Sequence, residues 1–235
     1  MGYSARVKRV RVKVCGLREP NKAAAIARCG ADAIGLVFAD DSPRWVSPEQ
    51  AREITDVLPP FVATVGVFVD ASPMVMNRVA GKARLQYLQL HGEEPPQIVE
   101  ALDRPVIKAF RVRDSGWVGE VRRWLSALAT PSRVAAILLD TYRSGRPGGT
   151  GEQFTWEWVG DARQAGALAG LPPMILSGGL NKTNVVTAMS VVQPWAVDVS
   201  TGVESAPGIK DVEKANRFII TVVDDVPELD SDFWT

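Results

Sequence analysis

The chain has 235 residues, of which 46% are hydrophobic and 23% charged, and this balance is typical of one large soluble globular domain. Its 27 Lys and Arg residues equal its 27 Asp and Glu residues, so no overall field attracts nucleic acid or an anionic membrane. One His and two Cys are too few for a zinc site built on those ligands, and no segment approaches the roughly 20 apolar residues of a membrane span.

Short β-rich runs alternate with longer helix-like segments along the chain. The predicted strands are 10–15, 33–38, 63–69, 87–90, 105–110, 134–140, 173–176 and 195–199. The predicted helices are 21–29, 47–57, 73–82, 95–102, 117–128, one from about 155, 181–189 and 210–223. Ser47, Pro48 and Glu49 form an N-cap, a proline in the first turn and an early acid. Eight βα units favour an α/β fold, a single (β/α)8 TIM barrel with a closed parallel eight-stranded sheet and outer helices.

A doubly wound open sheet is the structural alternative. No Gly-x-Gly-x-x-Gly follows the first strand, which removes support for its dinucleotide-binding form. We expect the barrel to occupy residues 10–222, with 1–9 and 223–235 as terminal extensions. The start has basic residues but no apolar run of signal-peptide type. We therefore expect a cytoplasmic protein.

Strand alternation predicts which side chains point into the barrel. Helices cover the outside, so we expect the purely apolar face of each strand to point outward and the mixed polar face inward. The side chains predicted to point inward on this basis include Lys13, Cys15, Gln89, His91, Lys108, Asp140 and Asp198. Strands one and eight become neighbours when the barrel closes, which predicts an ion pair between Lys13 and Asp198. The alternative is that the polar members only satisfy one another as structural pairs.

Cys15 and Asp140 end the first and sixth strands, on opposite sides of the barrel mouth. Active sites of such barrels form at these strand ends. A lone cysteine is more often a small buried hydrophobe than a catalyst. The inward face and strand-end position nevertheless favour a thiol and a carboxyl group that flank one substrate and exchange protons with it. Lys13, His91 and Asp198 are the expected supporting residues.

Two glycine-containing turns follow the last two strands. They are Ser177-Gly178-Gly179 and Ser200-Thr201-Gly202. Backbone N–H groups in such turns can approach an anion closely, and barrels often hold phosphate at these two loops. Each turn alone is weak evidence, since glycine also serves plain turns. The segment 148–151, which is Gly-Gly-Thr-Gly, could close over a ligand or be an ordinary mobile loop.

Arg44 lies in the loop after the second strand. Its guanidinium group could hold a substrate carboxylate through two parallel hydrogen bonds. The alternative is a solvated loop arginine. We expect a small phosphorylated substrate, with Gly178, Gly179, Ser200, Thr201 and Gly202 on its phosphate and Arg44 on a second anionic group.

Several motifs in chain order resemble the phosphoribosylanthranilate isomerase family of tryptophan biosynthesis. They are Val12-Lys13-Val14-Cys15-Gly16, Ser42-Pro43-Arg44, Gln89-Leu90-His91-Gly92, Leu139-Asp140-Thr141, Ser177-Gly178-Gly179 and Asp198-Val199-Ser200-Thr201-Gly202-Val203-Glu204. The resemblance covers about residues 10–220. Thr201 stands where a second serine is commoner, and keeps the hydroxyl group.

This resemblance implies an Amadori rearrangement of N-(5-phosphoribosyl)anthranilate to 1-(2-carboxyphenylamino)-1-deoxyribulose 5-phosphate, without a metal or cofactor. Asp140 would be the general acid that opens the ribose ring, and Cys15 the general base that removes the C2′ proton. Arg44 would bind the anthranilate carboxylate, and the turns at 177–179 and 200–202 the phosphate.

Two other functions remain as alternatives. The histidine-pathway isomerase performs the same rearrangement and is expected to use two aspartates, so Cys15 argues against it and against a bifunctional enzyme. A barrel that only senses a phosphorylated ligand would not need Cys15 and Asp140 together. We expect no nucleic-acid or membrane partner, and a monomer, because no hydrophobic surface stripe stands out.

Overall fold

The computed structural model describes residues 9–141 and 155–224, and eight parallel strands in them close into a barrel. The strands are β1 (Arg11–Cys15), β2 (Ala33–Val37), β3 (Ala63–Phe68), β4 (Tyr87–Leu90), β5 (Val106–Val112), β6 (Val134–Thr141), β7 (Met174–Leu176) and β8 (Ala196–Val199). The helices are α1 (Pro20–Arg28), α2 (Pro48–Asp56), α3 (Pro73–Ala83), α4 (Trp117–Ser126), α5 (Glu157–Gln164), α6 (Val185–Val192) and α7 (Val212–Asp224).

The pairing of β1 with both β2 and β8 closes the sheet and confirms the predicted barrel. Lys13 pairs in register with Asp198 of β8, which places their side chains on the same face. The predicted N-cap at Ser47 is also confirmed, because its side chain accepts a hydrogen bond from Gln50 N. The predicted helix at 95–102 is instead a short 3-10 helix, Pro96–Ala101.

Two apolar layers hold the barrel together, one on each face of the sheet. The layer between strands and helices contains Val12, Val14 and Ile137, all fully buried. The layer inside the barrel contains Ile107 and Leu138. Residues of the two layers alternate along each strand, which follows from the period of two in strand side-chain direction.

The prediction that Lys108 points inward is wrong. Its neighbours Ile107 and Ala109 belong to the inner layer, so Lys108 lies on the outer face of β5. Its ammonium group bonds Glu94 Oε2 at 2.7 Å and the carbonyl oxygen of Gly92 at 2.7 Å. A loop and a 3-10 helix, rather than an α-helix, follow β4 there, and the Glu94 carboxylate makes burial of a lysine on the outer face tolerable.

A small antiparallel hairpin follows β8. Its strands are β9 (Glu204–Ala206) and β10 (Ile209–Lys210), and Lys210 pairs with Glu204 in its register. Segment 148–151, for which closure over a ligand and an ordinary mobile loop were both left open, lies outside the described residues. Residues 225–235 of the predicted tail and 1–8 of the predicted N-terminal extension lie outside them too. In the described part of the chain, no helix combines the length and apolar character that a membrane crossing needs.

Candidate active site

A pocket of about 910 Å³, including open solvent, lies at the carboxyl-terminal ends of the strands. The predicted residues that line it are Cys15, Arg44, His91, Asp140, Gly178, Gly179, Asp198, Ser200 and Thr201. These predicted residues come from six of the eight βα units, and other lining residues come from the remaining two. Lys13 and Gly202 do not line the pocket, but each contacts a residue that does: Lys13 bonds Asp198, and Gly202 packs against Leu180.

Cys15 ends β1 with its side chain inside the barrel and 7% of its surface exposed. Burial raises the pKa of this thiol, because a thiolate is poorly solvated there. The ammonium groups of Lys13 and Lys210 act in the opposite direction and favour the thiolate, while Asp198 disfavours it. The resting group is therefore a protonated thiol beside two cations that stabilise its ionised form.

The predicted ion pair between Lys13 and Asp198 is confirmed. Lys13 Nζ lies 2.9 Å from Asp198 Oδ1, and both side chains are nearly fully buried. Burial lowers the pKa of Lys13, but Asp198 and Cys15 together outweigh burial and the pKa is raised. The lysine therefore stays charged, and its charge lies directly behind the thiol.

Asp140 is the last residue but one of β6 and takes part in a hydrogen-bonded chain with two residues of the β4 end. His91 Nε2 lies 3.0 Å from Asp140 Oδ2, and Gln89 Nε2 lies 2.7 Å from His91 Nδ1. The backbone N–H of Thr141 donates to the other carboxylate oxygen, Oδ1, at 2.8 Å. With the Gln89 amide oriented this way, His91 carries its proton on Nε2 and donates it to Asp140. The carboxyl group is thus held in one orientation at the pocket wall.

The turns after β7 and β8 approach each other at the pocket edge. Gly178 has a φ of +91°, and a Cβ there would lie 2.3 Å from Thr141 Oγ1. A Cβ on Gly202 would lie 2.1 Å from the carbonyl oxygen of Leu180. Glycine is required at both positions, one for its backbone conformation and one for the close contact between the loops. Gly178 and Gly179 line the pocket together with Ser200 and Thr201 of the second turn.

Arg44 is not a solvated loop residue. Its Nε and Nη2 atoms each bond one carboxylate oxygen of Glu204 at 2.8 Å, and only 11% of its side chain is exposed. Glu204 also accepts a 2.5 Å hydrogen bond from Lys210 Nζ. Burial raises the pKa of Glu204, but the two cations outweigh it and the pKa is lowered.

Three charged residues near the pocket had no role predicted from the sequence: Glu204, Lys210 and Arg111. Arg111 lines the pocket from β5, in register with Asp140. Arg111 shares the inner face of β5 with Ile107 and Ala109, so the wrong inward placement of Lys108 also hid Arg111. The contacts of Glu204 and Lys210 depend on the hairpin after β8, which no simple sequence pattern specifies.

Across residues 9–141 and 155–224, no group of three or more His, Cys, Asp or Glu side chains is arranged to hold a metal ion. The titratable groups that line the pocket are instead a thiol, two carboxyl groups, an imidazole and two guanidinium groups. This set suits proton transfer on an anionic ligand.

Comparison with known proteins identifies relatives along nearly the whole barrel. The model of the N-(5′-phosphoribosyl)anthranilate (PRA) isomerase family matches residues 12–221. The N-(5′-phosphoribosyl)anthranilate isomerase of Geobacter sulfurreducens is 47% identical over 210 residues, which cover 89% of this chain and 97% of that protein.

Solved structures give the same result. A phosphoribosyl anthranilate isomerase in complex with reduced 1-(o-carboxyphenylamino)-1-deoxyribulose 5-phosphate has a TM-score of 0.75 and 39% identity, over 91% of this chain and 98% of that one. Monomers of the dimeric phosphoribosylanthranilate isomerase of Thermotoga maritima have a TM-score of 0.76 and 36% identity, with the same coverage.

Proposed function

Since the chain belongs to the N-(5′-phosphoribosyl)anthranilate isomerase family, we propose that Cys15 and Asp140 are the proton-transfer pair of its reaction. The protein is an isomerase of tryptophan biosynthesis and converts N-(5′-phosphoribosyl)anthranilate into 1-(2-carboxyphenylamino)-1-deoxyribulose 5-phosphate. The proposal assigns the steps of that conversion to individual side chains. The observation that carries it is the convergence of a thiol, a carboxyl group and two glycine turns on one pocket.

Asp140 is the general acid of the first step. Its carboxyl group gives a proton to the ribose ring oxygen, the bond from that oxygen to C1′ breaks, and the anthranilate nitrogen lone pair forms a C1′=N bond. His91 and the Thr141 backbone N–H hold the two carboxylate oxygens, so the acid reaches the ring oxygen without searching for an orientation.

Cys15 is the general base of the second step. Its thiolate removes the proton from C2′, and the electron pair of that C–H bond forms a C1′=C2′ bond while the C1′=N bond returns to an amine. The enolamine then gains a proton at C1′ and loses its hydroxyl proton, which yields the ketone. Lys13 and Lys210 stabilise the thiolate that this step needs. No electron acceptor enters the balance, so we expect no metal or cofactor.

Arg44 and the two glycine turns hold opposite ends of the substrate. We assign the anthranilate carboxylate to Arg44, and the phosphate to Gly178, Gly179, Ser200 and Thr201, with Gly202 holding the loops together. Anchors at both ends fix the sugar between acid and base, which is the main way that proximity lowers such barriers. The relative with the bound reduced product analogue supports a ligand of this kind.

Turnover of freshly generated N-(5′-phosphoribosyl)anthranilate tests this function. We expect anthranilate fluorescence to fall when the protein is added, with Cys15→Ala and Asp140→Asn preparations as matched controls that leave it almost unchanged. A flat trace from folded wild-type protein would favour the ligand sensor instead.

We further propose that residues 10–222 form the catalytic domain of a cytoplasmic monomer. Both proposed proton-transfer groups, Cys15 and Asp140, line one pocket of the same chain. A relative from Thermotoga maritima is described as dimeric, which makes the oligomeric state worth measuring. Sedimentation velocity should give a single species near 25.4 kDa, and a species of twice that mass would overturn the monomer.

A further inference from the structure

The hairpin β9–β10 places a buried carboxylate between two cations at the edge of the pocket. The exposed fractions of the three side chains are 11% for Arg44, 5% for Glu204 and 1% for Lys210. Charges this deeply buried are costly unless each is paired in good geometry. Here one carboxylate pairs with both cations and leaves the cluster with a net positive charge, opposite to that of a carboxylate ligand.

The pairing uses only one edge of the Arg44 guanidinium group. Glu204 Oε1 accepts from Nε, and Oε2 accepts from Nη2, both at 2.8 Å. Five N–H donors are available on a guanidinium group, and within the described residues no hydrogen bond involves Nη1. The free edge, formed by Nη1 and the second N–H of Nη2, has the geometry for a second bidentate carboxylate.

The rest of the Arg44 side chain is fixed as well. A Cβ on Gly16 would lie 2.5 Å from Arg44 Cδ, so the arginine stem lies directly over the residue that follows Cys15. A Cβ on Gly208, in the hairpin turn, would lie 2.4 Å from the carbonyl oxygen of Pro43. The hairpin therefore contacts both the Arg44 backbone region and, through Glu204, its guanidinium group.

Lys210 connects the same cluster to the base. Its Nζ contacts Ser200 O at 3.1 Å as well as Glu204, and Ser200 Oγ donates to the carbonyl oxygen of Cys15 at 3.1 Å. The pKa of Lys210 is lowered, because burial, together with Arg44, outweighs the opposite effects of Glu204 and Cys15. Glu204 thus holds one cation beside the thiol and another at the pocket wall.

We propose that Glu204 is a positioning residue for substrate recognition, which orients Arg44 so that its free edge binds the anthranilate carboxylate. The inference rests on the proposed role of Arg44. It goes beyond that role because it assigns specificity for the carboxylate to a buried residue that does not line the pocket. Glu204 stays bound to Arg44 when the substrate enters, and does not compete with the substrate for it.

The test compares two ligands on wild type and on variants of Glu204, Arg44 and Glu213. The ligands are reduced 1-(o-carboxyphenylamino)-1-deoxyribulose 5-phosphate and the same molecule without the carboxyl group, and calorimetry gives their dissociation constants. The proteins are wild type, Glu204→Gln and Arg44→Gln, with Glu213→Gln as the control. Glu213 is an exposed α7 residue paired with Arg217, and its variant should match wild type with both ligands.

We expect Glu204→Gln to lose about tenfold or more of the preference for the carboxylated ligand, because a charged, bidentate contact that fixes Arg44 is removed. Binding of the carboxyl-free ligand should stay at the wild-type level, which also shows that the variant is folded. Glu204→Asp keeps the charge but is one methylene shorter, so its preference should lie between those of wild type and Glu204→Gln.

Other outcomes separate this inference from the proposed function. If Arg44→Gln loses the preference and Glu204→Gln keeps it, Glu204 has no part in recognition. A stronger preference in Glu204→Gln would show competition with the substrate, and equal weakening of both ligands would show a structural role only. Each of these results overturns the inference. If Arg44→Gln also keeps the preference, the assignment of the carboxylate to Arg44 fails too. Should Glu204→Gln not fold, Glu204→Asp with the wild-type preference overturns the inference.

Discussion

The Lys13 ammonium group lies 2.9 Å from Asp198 Oδ1, buried inside the barrel behind the Cys15 thiol. The pair joins the first strand to the last at the point where the sheet closes. It also leaves a permanent cation next to the proposed base. Both the stability of the barrel and the ionisation of the thiol therefore depend on these two side chains.

Removal of one partner should destabilise the protein strongly. We expect Lys13→Met to lower the free energy of unfolding by about 3–5 kcal/mol, because Asp198 is left as an unpaired buried charge. The double variant Lys13→Met/Asp198→Asn should recover most of this loss. Denaturant unfolding measures both. Lys22→Met, which breaks the more exposed pair with Glu19, should lower the free energy of unfolding by less than about 1 kcal/mol. An equally small loss in Lys13→Met would contradict the importance of the buried pair.

The pH dependence of kcat/KM should report the buried thiol. The reactive form has Cys15 ionised and Asp140 protonated. The fraction of enzyme in this form is constant over the pH range in which Cys15 and Asp140 together hold one proton. Activity should therefore be level until the thiol titrates, and then fall. Because burial raises the pKa of Cys15 above its ordinary value of 9.0, the alkaline fall should begin only above that pH.

Loss of the cation behind the thiol should move this profile in a defined direction. In Lys13→Met the pKa of Cys15 rises further, so the alkaline fall in kcat/KM moves to higher pH. The value of kcat/KM on the plateau below it should drop by about tenfold for each pH unit of that shift. Steady-state kinetics in overlapping buffers measures both changes. A fall in wild type well below the ordinary thiol value, or one that moves to lower pH in the variant, would be inconsistent with Cys15 as the base.

The chain Gln89–His91–Asp140 should affect kcat more than KM. We expect His91→Ala to lower kcat by about ten- to a hundredfold, because a hydrogen bond to a charged group is lost and the acid is no longer held. Gln89→Met should act in the same direction but less. Neither variant should move the alkaline fall set by Cys15. An unchanged kcat in His91→Ala would remove the histidine from the proposal.

The contact between the two glycine turns should control phosphate binding. In Gly202→Ala the new methyl group would lie 2.1 Å from the backbone oxygen of Leu180, so the loops must separate. We expect the inhibition constant of inorganic phosphate to rise at least about tenfold in this variant, because the loss of one hydrogen bond to a charged group weakens binding by about that factor. Gly81→Ala in α3 is the control, because its Cβ meets no atom within 4 Å. In this control, phosphate inhibition should be unchanged and the free energy of unfolding should rise by up to about 1 kcal/mol. Equal inhibition constants for the two variants would contradict a role of the loop contact in phosphate binding.

Strand alternation was sufficient to predict the side chains of the barrel interior in strands whose apolar face contacts the helices and whose polar face points inward. The Lys13–Asp198 pair could be predicted because the first and last strands must meet and both residues are polar on one face. Lys108 could not be placed in this way, because its face depends on Glu94, a residue of the loop after β4. The sequence shows a lysine within a predicted strand, but it does not show the carboxylate with which that lysine pairs.

The contact of Glu204 with Arg44 was also beyond prediction. The two residues are 160 positions apart, and they meet only because the hairpin folds back over the loop after β2. The sequence indicated that Arg44 could bind a carboxylate, and did not indicate that a carboxylate of the chain itself already occupies one edge. Such details depend on loop geometry, which is the least constrained part of a barrel fold.

The most direct measurement is single-turnover conversion of N-(5′-phosphoribosyl)anthranilate by wild type, Cys15→Ala and Asp140→Asn, with binding of the reduced product analogue measured in parallel. We predict that both variants bind the analogue and convert substrate at least about a hundredfold more slowly, the usual effect of losing a general acid or base. Conversion by either variant at the wild-type rate would contradict the assignment of the proton transfers to this thiol and this carboxyl group.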